Sequence, residues 1–267
     1  MIELKSKREI EIMQEAAQIL QKIFAAVQPI VCENATTNDL DALAEKIILA
    51  NNGTSAFKGY RGFPKVACIS VNEEVVHGIP GNKRLKKGDL VSFDIGVIYK
   101  GFYSDAARTW CVGGTPDAKT KILMNAAQAG MEAGLQAYKP GCQIGDLSEA
   151  IQQSIESNGF GVVRDFVGHG IGRSLHEEPQ VPNYGNAGRG LKIEPGLVLA
   201  IEPMVTEGSH EVQVLADGWT VVTKDRSRAS HYEDTIAFTE NGFINLTGGY
   251  SFEFGSGRFP TANAVKS

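Results

Sequence analysis

The 267-residue sequence predicts an α+β fold built from two pseudo-symmetric halves. Three observations carry this expectation. Helical and strand-like patterns appear in the same order twice, helix, helix, then strands. Short segments recur: Q-E-A-A-Q in the first helix matches M-N-A-A-Q in the third, and N-D-L at 38–40 and G-D-L at 145–147 open helices that both stop at glycine. Finally, G-D-L-V-S-F-D from Gly88 aligns with G-L-V-L-A-I-E from Gly196, which makes Asp94 and Glu202 equivalent. Such a repeat implies antiparallel sheet covered on one face by helices, with acids facing each other across the axis.

The first helix is marked by Ser6 and Glu9, a capping box, and by one apolar stripe of Ile12, Met13, Ala16, Ile19, Leu20, Ile23 and Phe24. Pro29 ends it. A second helix is expected from Thr37 to about Gly53. Strands follow in A-C-I-S-V-N, L-V-S-F-D-I-G-V-I-Y and F-Y-S-D-A-A-R-T-W. A third helix is expected over about Thr120 to Tyr138, and a fourth over about Asp146 to Gly159. The strands then return in L-V-L-A-I-E-P-M-V, W-T-V-V-T and H-Y-E-D-T-I-A-F. Residues 1–247 read as one catalytic domain with halves at about 1–112 and 113–247. Residues 248–267, rich in glycine and serine, read as a loosely ordered tail.

Composition excludes several classes. The net charge of −5, with interspersed charges, argues against nucleic acid as substrate. No apolar run reaches membrane-spanning length, and the charged N-terminus has no signal-like core, so a cytoplasmic location is expected. Cys32, Cys68, Cys111 and Cys142 are widely spaced and read as reduced thiols. With no heptads, a monomer is expected.

The chemistry lies in acids placed where acids are disfavoured. Asp94 interrupts the apolar run V-S-F-D-I-G-V-I, and Asp105 sits in the next strand. With the hairpin turn at Tyr99-Lys100, the two carboxylates would be directly opposed on one sheet face, where they repel unless a cation or proton lies between them. Glu202 and Glu233 repeat the pattern. The glycine-rich stretch V-G-H-G-I-G-R-S-L-H-E-E-P, from Val167 to Pro179, carries His169 and His176; its composition suggests a loop that makes poor core. Four carboxylates and a neutral imidazole carry a charge that two divalent ions would balance. An oxygen-rich set with one nitrogen favours manganese, iron(II) or cobalt over structural zinc.

Together, V-N-E-E-V-V-H-G-I-P, D-I-G ahead of Y-S-D-A-A-R-T, G-H-G-I-G-R-S-L-H-E-E-P, I-E-P-M and Y-E-D-T-I resemble the type I methionine aminopeptidase family over about residues 1–246. The resemblance implies the pita-bread fold, in agreement with the repeat. It implies hydrolytic removal of N-terminal methionine from nascent proteins, with a small second residue preferred. Two divalent ions (cobalt, manganese, iron(II) or zinc) would be held by Asp94, Asp105, His169, Glu202 and Glu233, with Asp105 and Glu233 bridging. A water between the ions would attack the peptide carbonyl, Glu202 would shuttle the proton, His176 would bind the carbonyl oxygen, and His77 would contact the scissile amide nitrogen. His210 and His231 receive no such role and read as surface or supporting residues.

By the same resemblance the methionine pocket is lined by Phe57, Tyr60, Phe63, Cys68, His77, Leu175 and Trp219. Phe57 and Leu175 depart from the small residue and the Phe expected at those places in bacterial members. Transient ribosome contact would depend on weak basic patches, in the loop at 207–228 or at Lys83, Arg84, Lys86 and Lys87. Two other readings are a proline-directed dipeptidase of the same fold and a non-catalytic binding protein. The first normally carries an extra N-terminal domain, and the second lacks the ligand set.

Overall fold

Helix α1 runs Lys7–Val27 in the computed structural model, which describes residues 2–113 and 115–255. Ser6 starts it by accepting from the Glu9 backbone N–H, while the Glu9 carboxylate accepts from the Ser6 N–H at 2.7 Å. Met13, Ala16, Leu20 and Ile23 are fully buried along the expected stripe. Helices α2 (Thr37–Ala50), α3 (Ala118–Ala137) and α4 (Ile144–Glu156) follow. The openings of α2 and α4 match. Asp39 accepts from the Thr36 N–H and Asp146 from the Gln143 N–H, each at 2.7 Å.

Each helix pair covers its own sheet. On the first half, Leu20, Ile23, Leu40 and Ile48 pack against Ile69, Phe93 and Ile95. On the second, Leu123, Leu135, Leu147 and Ile151 pack against Leu199, Ile201, Ile236 and Phe238. Burying each of these side chains contributes about 1.5–3 kcal/mol. The first sheet holds the antiparallel strands Ala67–Val71, Leu90–Tyr99 and Phe102–Cys111, with the short Thr54–Ser55 at one edge. The second runs in the order Glu177–Val181, Gly168–Gly170, Val198–Ile201, Asp234–Thr239, Gly242–Asn245, Tyr250–Glu253. This is the expected α+β arrangement. The repeat is visible in the backbone as well: Gly88 and Gly196 enter equivalent strands with φ of 90° and 92°, a conformation that favours glycine.

The halves join at their centre. Ala107 and Glu233 exchange both main-chain hydrogen bonds, at 3.0 and 3.2 Å. Next to them the Asp105 N–H donates to Thr235 Oγ1 at 3.1 Å, and that hydroxyl donates to the Asp105 carbonyl at 2.8 Å. This seam brings acids from distant parts of the chain side by side.

Three expectations are corrected. The hairpin turns at Lys100-Gly101, because a two-residue turn of this kind needs positive φ at both central positions, and Lys100 (49°) and Gly101 (82°) supply it. Asp105 therefore pairs with Gly96 and Asp94 with Ala107, so the two acids are diagonal neighbours on one face rather than directly opposed. Second, the glycine-rich stretch begins as buried strand. A Cβ at 168 would lie 2.4 Å from the Ala200 carbonyl oxygen, and one at 170 would lie 2.3 Å from that of Glu178, so only glycine fits between these neighbours. Third, the tail is ordered further than expected, since Tyr250–Glu253 pairs with Gly242–Asn245 as an edge strand. Residues 256–267 of that tail lie outside the described residues.

Candidate active site

Asp94 sits between Cys68 and Ala107 in the first sheet, and Asp105 lies diagonally across from it. Glu233 arrives through the seam with Ala107. His169 occupies the middle of Gly168–Gly170, paired with Ala200, and Glu202 follows the end of the Val198–Ile201 strand. One ligand atom each from Asp105, His169 and Glu233 lies within 4.8 Å of the others. Asp94 lines the same cavity as Asp105, and the Asp105 charge helps to raise it. Glu202 Oε1 is 3.6 Å from His169 Nε2. The five residues singled out as ligands thus converge on one spot.

The electrostatics there call for positive charge. Asp94 Oδ1, Asp105 Oδ1 and Glu233 Oε1 are buried and have no hydrogen-bond partner. Burial first, and the neighbouring carboxylates second, push Asp94 and Glu233 well above the ordinary carboxylate range. Glu202 is raised by burial and by Asp105, while burial raises Asp105 itself. His169 Nδ1 must donate to the Gly170 carbonyl, 2.9 Å away, because a carbonyl only accepts. Its Nε2 then presents a lone pair to the Glu202 carboxylate. That lone pair, beside three orphaned carboxylate oxygens, suits a divalent cation, which would displace the acids' protons.

His77 and His176 stand beside this cluster. The φ of His77 is 59°, in the left-handed region, where the His77-Gly78 turn is clamped to the strand at Ile69 and Ser70: the Ile69 N–H donates to the Gly78 carbonyl at 2.8 Å, and the Gly78 N–H to Ser70 Oγ at 3.1 Å. Burial lowers the His77 imidazole to about 4, so it is neutral near pH 7. The His176 ring lies 4.3 Å from that of His169, tilted by 51°, and the Tyr60 hydroxyl meets its Nδ1 at 2.8 Å. The His176 loop is tied down through Glu177. Its Oε1 accepts the N–H groups of Arg173 and Ser174, and its Oε2 pairs with buried Lys5 at 2.6 Å.

The aromatic residues line the same hollow. All thirteen site residues expected from the sequence line one cavity of about 390 Å³. Phe63 meets Trp219 edge-on at 5.1 Å, and Trp219 meets His77 at 6.3 Å. Phe57 and Leu175 are buried walls. Arg61, Asp165, Phe166 and Gln180 also line the cavity and had not been singled out. Phe166 directly precedes the glycine-rich stretch, a position that could have suggested it. Of the two places open to His231, surface or support, it takes the second: it is buried with its Nε2 3.7 Å from Glu202 Oε2. The signal was available, since it lies two residues before Glu233 and alternation places it on the same face.

A cavity lined both by aromatic side chains and by a cation-demanding cluster of acids fits a metallopeptidase, and the chain belongs to metallopeptidase family M24, whose model matches residues 11–240. Within the family, its similarity is to the methionine aminopeptidases. It is 48% identical to the methionine aminopeptidase of Clostridium perfringens over 92% of this chain and 99% of that one. The crystal structure of methionine aminopeptidase from Thermotoga maritima superposes with a TM-score of 0.90 at 46% identity, covering 92% of this chain and 99% of that one. The prolidase from Pyrococcus horikoshii is more distant, with a TM-score of 0.73 at 27% identity, and the chain covers 63% of it.

Proposed function

We propose that this enzyme removes N-terminal methionine from nascent proteins by metal-dependent hydrolysis of the first peptide bond, preferring a small second residue. The observation that carries the reading is that one cavity is lined both by aromatic side chains and by unpaired buried acids. The flexible thioether of methionine suits such walls, and sulfur–aromatic contacts add to its hold. Asp94, Asp105, His169, Glu202 and Glu233 would hold two divalent ions. When bound, such ions neutralise the acids and lower the pKa of water toward neutrality.

The remaining work falls to the chain's own groups. Glu202 accepts the proton of the attacking water and passes it on to the leaving amine. The Tyr60 hydroxyl, donating to His176 Nδ1, fixes the tautomer with a proton on Nε2, which can then donate to the peptide carbonyl oxygen as negative charge develops there. His77, neutral and braced by Phe166 and Trp219, is placed to contact the scissile amide nitrogen.

We also propose that the halves, about 1–112 and 113–247, act as one catalytic unit, as a cytoplasmic monomer. Among the described residues no helix is long and apolar enough to cross a membrane. Any ribosome contact would be weak. In the loop at 207–228, Arg228 is paired with Glu207 and Lys224 with Glu211, which leaves little free positive charge. The test is cleavage of Met-Ala-Ser against Ala-Pro peptides, with manganese or cobalt added to metal-free protein. Metal-dependent release of methionine alone supports the assignment, and cleavage of the Ala-Pro peptide alone replaces it with the prolidase reading.

A further inference from the structure

One buried imidazole at the site has no task in this scheme. His231 is 1% exposed, and neither ring nitrogen has a hydrogen-bond partner. Such groups are rare in folded proteins and call for a partner. Its main chain is fixed: the His231 N–H donates to Thr109 Oγ1 at 3.0 Å, and that hydroxyl lies 2.8 Å from the His231 carbonyl. Across the strand it pairs with Met204, two residues beyond Glu202. The ring therefore has little freedom to turn away.

Glu202 lies between two imidazoles. Oε1 is 3.6 Å from His169 Nε2, and Oε2 is 3.7 Å from His231 Nε2. The second distance is just beyond a hydrogen bond, and a shift of about 0.5–1 Å by the Glu202 side chain closes it. His77 and Arg108 are the other charge-bearing groups that act on the ring. Neither can accept a hydrogen bond as readily as the carboxylate.

We infer that His231 is a positioning residue for Glu202, its Nε2–H holding Oε2 so that Oε1 stays turned toward His169 and the cation site. The inference rests on the reading of Glu202 as a ligand. It assigns to an outer neighbour the orientation of the carboxylate that must also handle the proton, a job on which metal affinity commonly depends.

The test is cobalt(II) titrated into metal-free protein, read by calorimetry and by visible absorption. His231→Leu is expected to weaken cobalt binding about tenfold and to shift the visible band. His231→Gln, whose amide N–H reaches the same oxygen, recovers most of both. In a Glu202→Ala background, His231→Leu has no further effect. Equal affinity and spectrum in the wild type and His231→Leu overturn the inference, as does an undiminished loss in the Glu202→Ala background. Should His231→Leu fold poorly, His231→Gln against the shorter His231→Asn decides: higher affinity with Gln supports the inference, and equal affinity overturns it. A wild-type protein that takes up no cobalt overturns the metal reading itself, and this inference with it.

Discussion

The Tyr60 hydroxyl sits 2.8 Å from His176 Nδ1. With the hydroxyl donating across that contact, the ring proton sits on Nε2, and His176 offers a donor to the substrate. Loss of a hydrogen bond worth about 1 kcal/mol corresponds to about a fivefold effect. Tyr60→Phe is therefore expected to lower kcat about fivefold while moving KM little. Steady-state kinetics on a Met-Ala-Ser peptide measure it, and an unchanged kcat would remove Tyr60 from this role.

Glu233 adds a fourth buried acid beside Asp94, Asp105 and Glu202, and burial raises it well above the ordinary carboxylate range. Without metal it must take up a proton to fold, and that uptake is a burden near neutral pH. Glu233→Gln is expected to stabilise the metal-free protein by about 1–2 kcal/mol, or about 2–8 °C in Tm, while abolishing the Tm rise that manganese gives. Thermal melts with and without manganese report both. A variant that melts lower without metal would show that Glu233 is already well paired.

The pH dependence of metal stabilisation follows from the same groups. Buried acids with raised pKa keep their protons in the folded, metal-free state after the unfolded chain has lost them. Their stabilising contribution is complete below the ordinary carboxylate range and is lost as pH rises through the raised folded values. The buried imidazoles run the other way. His77 and His169 are lowered to about 4 and about 3, so their contribution is complete above the ordinary histidine value and is lost only as pH falls. Between pH 6.5 and 8 the acids alone matter, and a cation must displace their protons. The manganese-induced rise in Tm should be larger at pH 8 than at pH 6.5; an equal or smaller rise would show that these carboxyl groups are already ionised.

Lys5 reaches from the N-terminal segment to Glu177, and its side chain is 3% exposed. Removing one partner of a buried pair costs about 3–5 kcal/mol. Lys5→Met, which keeps the apolar stem, is expected to lose stability on that scale and to lower kcat, because Glu177 organises the loop that carries His176. Denaturant melts and kinetics together check this. Full stability in Lys5→Met would mean that Glu177 finds its partners in the loop alone.

Gly96 lies behind Phe57, one of the walls of the cavity. A Cβ at this position would lie 2.8 Å from Phe57 Cε1 and 2.8 Å from Ala56 Cβ. Gly96→Ala should push Phe57 into the cavity and shift preference among methionine, norleucine and ethionine peptides by about 1–3 kcal/mol. Phe57→Cys should shift it in the opposite sense. If relative kcat/KM stays constant in both variants, Phe57 does not shape the pocket.

Much of this architecture was legible because it is local. Ser6 and Glu9 cap α1 as their spacing requires, and the matched openings of α2 and α4 reveal the repeat before any coordinates do. The acids betrayed themselves by sitting in apolar strands. The hairpin register was missed because the backbone conformation of Lys100 outweighs the apparent symmetry of the flanking residues. The glycine-rich stretch looked like a loop because sequence shows the absence of side chains but not the neighbouring carbonyls of Ala200 and Glu178 that require it. His231 was undervalued because its importance comes from Glu202, some thirty positions away. Tyr250–Glu253 pairs through main-chain hydrogen bonds, to which a polar and aromatic segment offers little clue.

The central claim is that these buried acids converge around divalent cations. Anomalous diffraction at the manganese edge, from crystals grown with manganese in excess, tests it most directly. The account predicts two anomalous peaks bounded by Asp94, Asp105, His169, Glu202 and Glu233. An occupied site showing only one peak contradicts the two-ion assignment, and no peak among these residues contradicts the account as a whole.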